Sequence, residues 1–380
     1  MNILITGSNG FIGKNLIAQL NNIKEGKAKE ERIPADVSVL EYDIDTDPAL
    51  LGDYCQKADF VFHLAGVNRP REQAEFMEGN FGFTLILLNT LRKYSNTCPV
   101  MLASSIQAEL DNPYGMSKKA GEELLFRYGE KTGAKVYVYR FPNVFGKWCR
   151  PNYNSAVATF CYNIARDLPI QVNDPKVQMT LVYIDDVVDE LISALAGKPT
   201  KEGRYCKVPV EHCITLGEMV DLIYSFRESR RNLQVPDMGD AFTRKLYATY
   251  LSYLPENDFS YPLKMNTDHR GSFTEFLKSP DRGQVSVNIS KPGITKGNHW
   301  HHTKNEKFLV VCGRGVIRFR KIDEKEVHEY YVSGDRLEVV DIPVGYTHNI
   351  ENLGDGDMVT IMWANEAFDP EKPVTYYLEV

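Results

Sequence analysis

Tyr114 and Lys118 stand four residues apart, directly after Pro113. On the helix that follows this proline, the spacing places both side chains on one face. An ammonium group beside a phenol lowers the pKa of the phenol, so the tyrosine can pass a proton at neutral pH. Ser104 and Ser105 end the preceding predicted strand and could hold the reacting oxygen. The spacing therefore predicts a proton relay of a tyrosine, a lysine and a serine.

Three glycines follow a short apolar run, Ile3–Ile5, and open a stretch with apolar residues at helical spacing. Glycine allows a tight turn and a close approach to a pyrophosphate, and the helix offers free N–H groups to the phosphates. The alternative is an ordinary turn between a strand and a helix. The pattern predicts a dinucleotide site whose contacts are Gly7, Asn9, Gly10, Phe11, Ile12 and Gly13.

Acidic residues end the second predicted strand, where dinucleotide-binding proteins distinguish NAD from NADP. Glu41 and Asp43 would accept hydrogen bonds from a ribose 2′-hydroxyl and would repel a 2′-phosphate. These two residues favour NADH. Lys27, Lys29 and Arg32, in the loop after the first helix, could instead supply a basic partner for NADPH.

A histidine-rich segment near residue 300 has the residue types of a metal site. His299 and His301 alternate, so they point to the same face of a predicted strand. Glu306 follows across a turn, and His348 lies in a second block that contains glycine and proline. Three imidazoles and one carboxylate suit Zn, Fe, Mn, Ni or Cu, and the spacing does not choose among them. The alternative is a hydrogen-bonded polar cluster in the mouth of a barrel.

Two different patterns of predicted secondary structure must position these groups. Short β-rich runs alternate with helical patterns in the first third of the chain, as in Val100–Ala103, Gly115–Tyr128 and Val136–Tyr139. This alternation predicts a doubly wound parallel sheet with helices on both faces. Later, short strands follow at close spacing without a long helix, as in Gln284–Ser290 and Val316–Arg320. They predict an antiparallel barrel or sandwich.

The segment Lys245–Pro262, which is rich in tyrosine and proline, is the predicted junction between the two parts. We therefore expect an NAD(P)-binding domain over residues 1–250 and a metal-binding β domain over residues 256–380.

Composition excludes several classes of function. The 380-residue chain has a net charge of −7, which argues against a protein that coats nucleic acid. No apolar run reaches the length of a membrane span, and no signal peptide is visible. The seven cysteines are scattered, which fits reduced thiols in a cytoplasmic protein. We expect neither a nucleic-acid partner nor a membrane partner.

Six motifs in order resemble those of extended short-chain dehydrogenase/reductases, many of which act on nucleotide sugars. They are Thr6–Gly13, His63–Gly66, Ser104–Ser105, Tyr114–Lys118, Arg140–Gly146 and Tyr183–Val188. The resemblance covers roughly residues 1–240 and implies a Rossmann-type sheet. Ile106 and Gln107 stand where the family's sugar 4,6-dehydratases carry an acid–base pair, so we do not expect a dehydratase.

The same resemblance implies roles for individual residues. Lys118 would bridge the nicotinamide ribose, and Tyr114 would be the acid and base of the reaction. Ser105 matches the active-site hydroxyl better than Ser104, because it is the last hydroxyl of its run. Besides the glycine-rich turn, the residues implied to contact the cofactor are Leu64, Ala65, Gly66, Tyr114 and Lys118.

The two histidine-containing blocks resemble the two cupin motifs, and Asp268–Glu275 is similar to the opening of cupin-fold sugar epimerases. This resemblance covers roughly residues 256–380 and implies a jelly-roll barrel. The predicted ligands of one divalent metal ion are His299, His301, Glu306 and His348, and we expect zinc.

A short-chain reductase joined to a cupin resembles a family of bifunctional capsular-polysaccharide enzymes in the pathway to UDP-N-acetyl-L-fucosamine. By that resemblance, the cupin half epimerises C3 of UDP-2-acetamido-2,6-dideoxy-4-hexulose. The reductase half then reduces the C4 ketone with NADPH to a UDP-2-acetamido-2,6-dideoxy-L-talose. We expect NADPH, although the strand-end acids favour NADH. We also expect a homodimer that binds a UDP-amino-sugar.

Two other functions remain open. In the first, only the reductase is active, and the metal-stabilised cupin serves dimerisation or binding. In the second, the whole chain senses redox state by binding NADP without turnover. The intact Tyr114 and Lys118 pair argues against a sensor, because a sensor needs no proton relay.

No spacing selects the base that would remove the C3 proton. His302 and Lys304 lie beside the predicted metal ligands. Arg318 and Arg320 alternate on a predicted strand and could stabilise the enolate oxygen, as could a bound metal ion.

Overall fold

The computed structural model describes residues 1–369, 371 and 374–380. It divides the chain into two compact units. Unit 1 contains Met1–Ile223 and Lys245–Leu254, and unit 2 contains Tyr224–Arg244 and Pro255–Val380. The division into an NAD(P)-binding domain over residues 1–250 and a metal-binding domain over residues 256–380 remains a prediction.

Strands alternate with helices in the first part of the chain. In chain order these elements are β1 (Asn2–Thr6), α1 (Phe11–Lys24), β2 (Ser38–Tyr42), α2 (Leu50–Lys57), β3 (Phe60–His63), α3 (Ala74–Phe76), α4 (Phe83–Lys93), β4 (Val100–Ser105), α5 (Pro113–Thr132), β5 (Val136–Phe141), β6 (Asn143–Phe145), α6 (Ala156–Ile164), β7 (Gln178–Tyr183), α7 (Ile184–Leu195), β8 (Lys201–Glu202), β9 (Tyr205–Cys206), β10 (His212–Thr215), α8 (Leu216–Asn232) and α9 (Ala241–Leu251). A π-helical segment, Met77–Gly82, joins α3 to α4, and a 3₁₀ turn, Ile106–Glu109, follows β4. None of the helices that the structure describes has the length and apolar character to cross a membrane.

The larger sheet of unit 1 has the strand order β2-β1-β3-β4-β5-β9-β8, and a smaller one has the order β10-β7-β6. From β2 to β9 the neighbouring strands of the larger sheet are parallel. The strand order reverses at β1, because β2 lies on one side of it and β3 on the other. A crevice therefore opens at the carboxyl end of β1, where open α/β sheets bind their ligands.

Two buried layers cover the two faces of this sheet. Ile3, Ile5 and Phe60 belong to one cluster, which includes residues of α1 and α7. Leu4 and Val61 belong to the other, which includes residues of α2, α4 and α5. Neighbouring residues on a strand point to opposite faces, so continuously apolar strands need helices on both sides. The predicted doubly wound parallel sheet is confirmed.

The helix α5 carries both members of the predicted relay, Tyr114 and Lys118. Its N-cap is Asn112, whose side-chain oxygen accepts a hydrogen bond from a backbone N–H at 2.8 Å. Pro113 is its first residue, where the missing N–H costs nothing. Gly133, with φ of 75°, ends it in the left-handed conformation. The predicted helix is confirmed and is longer at both ends.

The described residues from 265 onward form short strands. In chain order they are β11 (Met265–Asp268), β12 (Gly271–Ser279), β13 (Gly283–Ser290), β14 (Thr295–Trp300), β15 (Glu306–Cys312), β16 (Arg314–Lys321), β17 (Val327–Ser333), β18 (Val339–Ile342), β19 (Tyr346–Asn352), β20 (Met358–Ala364) and β21 (Tyr376–Tyr377).

Two antiparallel sheets form a cupin-like barrel in unit 2. Their strand orders are β11-β12-β13-β20-β15-β18 and β17-β16-β19-β14-β21. Phe308 and Met358 from the first sheet share a buried cluster with Ile317, Phe319 and Ile350 from the second. The apolar core thus lies between the sheets, and the predicted all-β second half is confirmed.

The predicted junction, Lys245–Pro262, is too long. The helix α9 ends at Leu251, and residues up to Leu254 belong to unit 1. Leu246 and Tyr250, one helical turn apart, are buried with 0% and 1% of their surface exposed. Tyrosine and proline content suggested a linker, whereas the apolar period in the same segment is that of a packed helix.

Candidate active site and candidate metal centre

The glycine-rich turn lies in the crevice at the carboxyl end of β1. Gly7 has φ of +72°, and a Cβ on it would lie 2.6 Å from the backbone nitrogen of Ala65. A Cβ on Gly13 would lie 2.4 Å from the carbonyl oxygen of Gly7. Among the described residues, no side chain caps the N-terminus of α1 at Gly10. A tight turn with uncapped helical N–H groups fits the pyrophosphate of a dinucleotide.

Gly7→Ala should weaken binding of the nicotinamide cofactor. The added methyl group must push against the backbone of Leu64 and Ala65, directly after β3, and the positive φ adds strain. Strain of this kind costs about 1–3 kcal/mol, so we expect roughly a tenfold or larger loss of affinity. Gly26→Ala is the matched control, because Gly26 has φ of +70° but nothing within 4 Å of its Cβ. Equal affinity of both variants in a fluorescence titration with NADPH would contradict the prediction.

Asp43, one of the acids predicted to favour NADH, holds the turn in place. One of its carboxylate oxygens accepts a hydrogen bond from the backbone N–H of Asn9 at 2.7 Å. The other accepts from the N–H of Ile44 at 2.8 Å. Both oxygens therefore accept hydrogen bonds from the local backbone. The carboxylate already has a structural role without a ribose hydroxyl, so its presence is weaker evidence that the protein binds NADH.

The basic residues predicted as partners for a 2′-phosphate carry local ion pairs. Lys27, Lys29 and Arg32 each pair with a glutamate two residues away, at 2.6, 3.3 and 2.7 Å. Exposed pairs of this type contribute little stability. Arg32 is also held by Asp189 of α7 at 2.5 Å. The loop leads into the amino end of β2, which is parallel to β1, so it lies at the edge of the sheet opposite the glycine-rich turn and does not place these cations beside a bound dinucleotide.

The relay residues Tyr114 and Lys118 converge at the end of β4. The Tyr114 hydroxyl donates to Oδ1 of Asn68 at 3.0 Å. The Lys118 ammonium donates to the carbonyl oxygen of Ala103 at 3.1 Å and lies 5.9 Å from the centre of the Tyr114 ring. Asn68 was not identified from the sequence, because it lies in a loop with no spacing relation to the helix.

Burial changes the acid–base properties of both relay residues. It lowers the pKa of Lys118 to about 8, against a rise caused by the negative charge of Glu122. It raises the pKa of the Tyr114 phenol, and a hydrogen bond with Ser105 opposes that rise. The expectation that Lys118 lowers the phenol's pKa is wrong, because burial raises that pKa above its ordinary value. A phenol that stays protonated at neutral pH suits a proton donor.

The two serines at the end of β4 point to opposite faces. Ser105 accepts a hydrogen bond from the N–H of Gln107 at 3.2 Å, and its hydroxyl lies close enough to Tyr114 to lower the pKa of the phenol. Ser104 is buried and donates to Oε1 of Glu122 at 2.5 Å. Of the two predicted hydroxyls, Ser105 lies beside the relay and Ser104 lies behind it.

The four predicted metal ligands come together in unit 2. One ligand atom from each of them lies within 4.8 Å of all the others; the residues are His299, His301, Glu306 and His348. His299 on β14 is paired directly with His348 on β19, next to an irregularity where Asn298 has φ of 58°. Glu306 is the first residue of β15. Two strands, a bulge and a turn thus gather ligands that are distant in sequence.

Unsatisfied polar atoms show what this cluster can hold. Within the described part of the chain, Nε2 of His301, Oε2 of Glu306 and both ring nitrogens of His348 have no hydrogen-bond partner. Burying such groups unpaired costs about 1–3 kcal/mol each. Nδ1 of His301 meets the carbonyl oxygen of Val374 at 2.7 Å, an outer contact that orients many metal-binding histidines. The donor set therefore fits a divalent cation.

The protonation states of the cluster also suit a metal. Burial and the charge of His348 lower the pKa of His299 to about 4. Burial raises the pKa of Glu306, but the imidazoles of His301 and His348, 3.7 and 3.4 Å from Oε2, outweigh it and hold the pKa well below its usual range. Metal ligands must be neutral imidazoles and ionised carboxylates, and at neutral pH His299 is neutral and Glu306 is ionised.

A cavity of about 690 Å³ adjoins the cluster and has the size of a small-molecule site. Lys304 lines it, is 9% exposed, and places its ammonium 3.9 Å from Oε1 of Glu306. His302 instead packs edge-to-face against Trp300 and Tyr376, with ring centres 4.4 and 5.2 Å away. Of the two suggested bases, Lys304 is the one in the cavity.

Arg318 does not face the cluster. Its guanidinium pairs with Glu329 at 2.7 Å and with Glu351 at 2.6 Å. Its neighbour Phe319 is the residue paired with His348, so the arginine points to the other face of β16. The suggestion that Arg318 and Arg320 stabilise an enolate in the cavity is wrong for this reason.

Two family models match the chain. The NAD dependent epimerase/dehydratase family matches residues 3–205. The polysaccharide biosynthesis C-terminal domain matches residues 266–376. The first range carries the glycine-rich turn and the relay, and the second carries the metal ligands and the cavity.

Individual relatives are similar along the whole chain. UDP-2-acetamido-2,6-beta-L-arabino-hexul-4-ose reductase of Pseudomonas aeruginosa is 46% identical over 380 residues, 100% of this chain and 99% of the relative. The crystal structure of the capsular polysaccharide assembling protein CapF from Staphylococcus aureus has a TM-score of 0.92 at 58% identity, covering 100% of both chains. UDP-glucuronic acid 4-epimerase from Bacillus cereus, at 18% identity and a TM-score of 0.54 over 67% of this chain and 98% of its own, shares the fold.

Proposed function

The chain belongs to the NAD dependent epimerase/dehydratase family, and from this premise we propose that it is a bifunctional UDP-sugar enzyme. The cupin-like barrel epimerises C3 of UDP-2-acetamido-2,6-dideoxy-4-hexulose. The site at Tyr114 and Lys118 reduces the C4 ketone with NADPH to a UDP-2-acetamido-2,6-dideoxy-L-talose. Similarity over the whole chain supports the more general part of this proposal, that the protein is a nicotinamide-dependent nucleotide-sugar reductase of the CapF type.

The observation that carries the proposal is the pairing of two sites suited to one ketone. Unit 1 has a protonated phenol beside a buried lysine, and unit 2 has a cavity lined by metal ligands. A C4 ketone acidifies the proton at C3, and a hydride consumes the same ketone. One substrate can therefore use both sites in turn.

In the reduction, Tyr114 donates its proton to the C4 oxygen while a hydride adds to C4, so the ketone becomes an alcohol. Reduced nicotinamide supplies that hydride when it is bound at the glycine-rich turn. Ser105 holds the same oxygen by a hydrogen bond. The ammonium of Lys118 stabilises the phenolate that forms on Tyr114. Asn68, which accepts the phenol's hydrogen bond in this structure, must give way to the substrate oxygen.

In the epimerisation, a base takes the C3 proton from one face of the sugar, the electron pair of that C–H bond forms an enolate with the C4 ketone, and an acid returns a proton to C3 on the other face. The developing enolate oxygen then needs a hydrogen-bond donor or a cation. We propose zinc for the four-ligand cluster, and bound zinc supplies a Lewis acid to the cavity. Lys304 supplies an ammonium in the same cavity, where it can donate to the enolate oxygen.

Lys304→Met should slow deuterium exchange at C3 by about 100-fold or more, the effect of removing one donor at a developing oxyanion. Methionine preserves much of the side chain's volume but removes the charge. His302→Ala is the matched control, since His302 stands two residues away and outside the cavity. Exchange is followed by mass spectrometry, with metal content measured in parallel. Full exchange by a metal-loaded Lys304→Met variant would exclude this role.

One observation favours a second function for unit 2. Four protein ligands leave a tetrahedral zinc ion without an open position, as in structural zinc sites. In this alternative the barrel is a metal-stabilised module that supports a homodimer, and the reductase alone is catalytic. The alternative predicts no C3 exchange by the intact protein.

Incubating the full-length protein with UDP-2-acetamido-2,6-dideoxy-4-hexulose and NADPH tests the reductase assignment. We expect one NADPH to be oxidised for each 4-hydroxy sugar formed, as measured by loss of absorbance and by product analysis. The same reaction with NADH should be slower. If neither cofactor is oxidised, the protein is not a reductase of this sugar. A faster reaction with NADH would contradict the choice of NADPH as cofactor but not the reductase activity.

A further inference from the structure

Glu122 is a buried carboxylate behind the relay, with 1% of its surface exposed. It lies on α5 one turn after Lys118. Its oxygens accept hydrogen bonds from Ser104 at 2.5 Å and from Nε and Nη2 of Arg140 at 2.9 and 2.7 Å. A buried ion pair gains little net stability over apolar packing, so its presence calls for another reason. Arg140 opens the Arg140–Gly146 motif, to which the reduction assigns no role.

The carboxylate fixes the end of β4 that contacts both relay residues. Ser104, which it holds, lies between Ala103 and Ser105 along the chain. The Ala103 carbonyl accepts the hydrogen bond of the Lys118 ammonium, and Ser105 lies close enough to the Tyr114 phenol to lower its pKa. A shift of this strand end would therefore misplace both contacts at once.

The carboxylate also opposes the desolvation of Lys118. The groups that face this lysine are Tyr114 and Glu122 from its own helix, His63 from β3 and the carbonyl of Ala103 from β4. Burial and the charge of Lys118 lower the pKa of His63 to about 3, so that histidine is neutral. Of these four groups, Glu122 is the one that carries a negative charge.

We propose that Glu122 is a positioning residue for ketone reduction, which holds the end of β4 in place and keeps the Lys118 ammonium charged. Arg140 holds the carboxylate in that orientation through two parallel hydrogen bonds. The inference rests on the roles proposed above for Tyr114 and Lys118.

The test is the pH dependence of NADPH oxidation by the full-length protein with the 4-keto UDP-sugar. Removing a negative charge beside a cation makes the cation lose its proton at lower pH. In Glu122→Gln, the decline of the rate on the alkaline side should move to lower pH by about one unit. Glu109→Gln is the matched control, because Glu109 pairs with the same Arg140 at 2.8 Å but is 73% exposed. Its alkaline decline should stay in place.

Arg140→Gln separates this role from a structural one. It breaks the same ion pair but leaves the carboxylate, so the alkaline decline should not move to lower pH. A merely structural pair predicts similar losses in Glu122→Gln and Arg140→Gln at every pH, with the decline unmoved in both. That outcome would overturn the inference.

Glu122→Asp serves if Glu122→Gln does not fold, as judged by thermal unfolding and NADPH binding. The shorter carboxylate keeps the charge, so the rate should fall while the alkaline decline stays in place. A decline that moves to lower pH in Glu122→Asp or in Arg140→Gln would overturn the inference. Tyr114→Phe is measured alongside. Full activity of Tyr114→Phe would refute the proton relay itself. If Tyr114→Phe is inactive but the alkaline decline of the rate does not move in Glu122→Gln, only the role of Glu122 is refuted.

Discussion

Tyr114→Phe is expected to slow reduction of the C4 ketone by roughly 100- to 10,000-fold, the contribution of a general acid. The substitution removes only the hydroxyl that donates to Asn68 in this structure and, in the proposed reaction, to the C4 oxygen. Binding of NADPH and exchange at C3 should persist, because neither needs this proton. The measurement is the rate of NADPH oxidation at saturating sugar.

Tyr128→Phe is the matched control for this substitution. Tyr128 lies on the same helix and donates to the carbonyl oxygen of Asn96 at 3.0 Å, away from the relay. Its loss should cost about 1 kcal/mol of stability and leave the rate of reduction unchanged. Undiminished NADPH oxidation by Tyr114→Phe would refute the relay.

His348→Ala is expected to lower the metal content measurably below about one ion per chain. His348 contributes two buried ring nitrogens without a hydrogen-bond partner among the described residues, and it faces Oε2 of Glu306 at 3.4 Å. Removing one of the four ligands weakens binding of the ion, so part of the metal should be lost during purification. Elemental analysis of freshly purified protein measures the effect.

His302→Ala again provides the control, because this histidine adjoins the ligands in sequence yet packs edge-to-face against Trp300 outside the cluster. It should keep its metal. A chelator should lower the melting temperature of the unaltered protein, since an ion that binds only the folded state stabilises it. The hydrogen-bonded polar cluster would be favoured if the purified protein contains no metal and neither chelator nor added zinc changes its melting temperature.

Local patterns allowed much of the site to be predicted from the sequence. The glycine-rich turn, the pairing of Tyr114 with Lys118, and the alternation of His299 with His301 all depend on near neighbours in the chain. In such cases spacing alone determines which side chains share a face. These groups lie together in the structure as the spacing requires.

The residues that tertiary structure brings together could not be predicted in this way. Glu122 meets Arg140 only because α5 packs on β5, and Asn68 reaches Tyr114 from a loop. The choice between His302 and Lys304 likewise depends on which side chain enters the cavity. The pKa of the phenol departs from the expectation because desolvation depends on burial, which a pair spacing does not report.

Deuterium incorporation at C3 is the measurement that tests the bifunctional account most directly. The full-length, metal-loaded protein is incubated with the 4-keto UDP-sugar in deuterated water without any nicotinamide cofactor, beside a protein-free sample. The account predicts deuterium at C3 of the recovered sugar, well above the protein-free sample, and reduction only after NADPH is added. Protein that reduces the ketone with NADPH but leaves C3 unlabelled before and after reduction would contradict it.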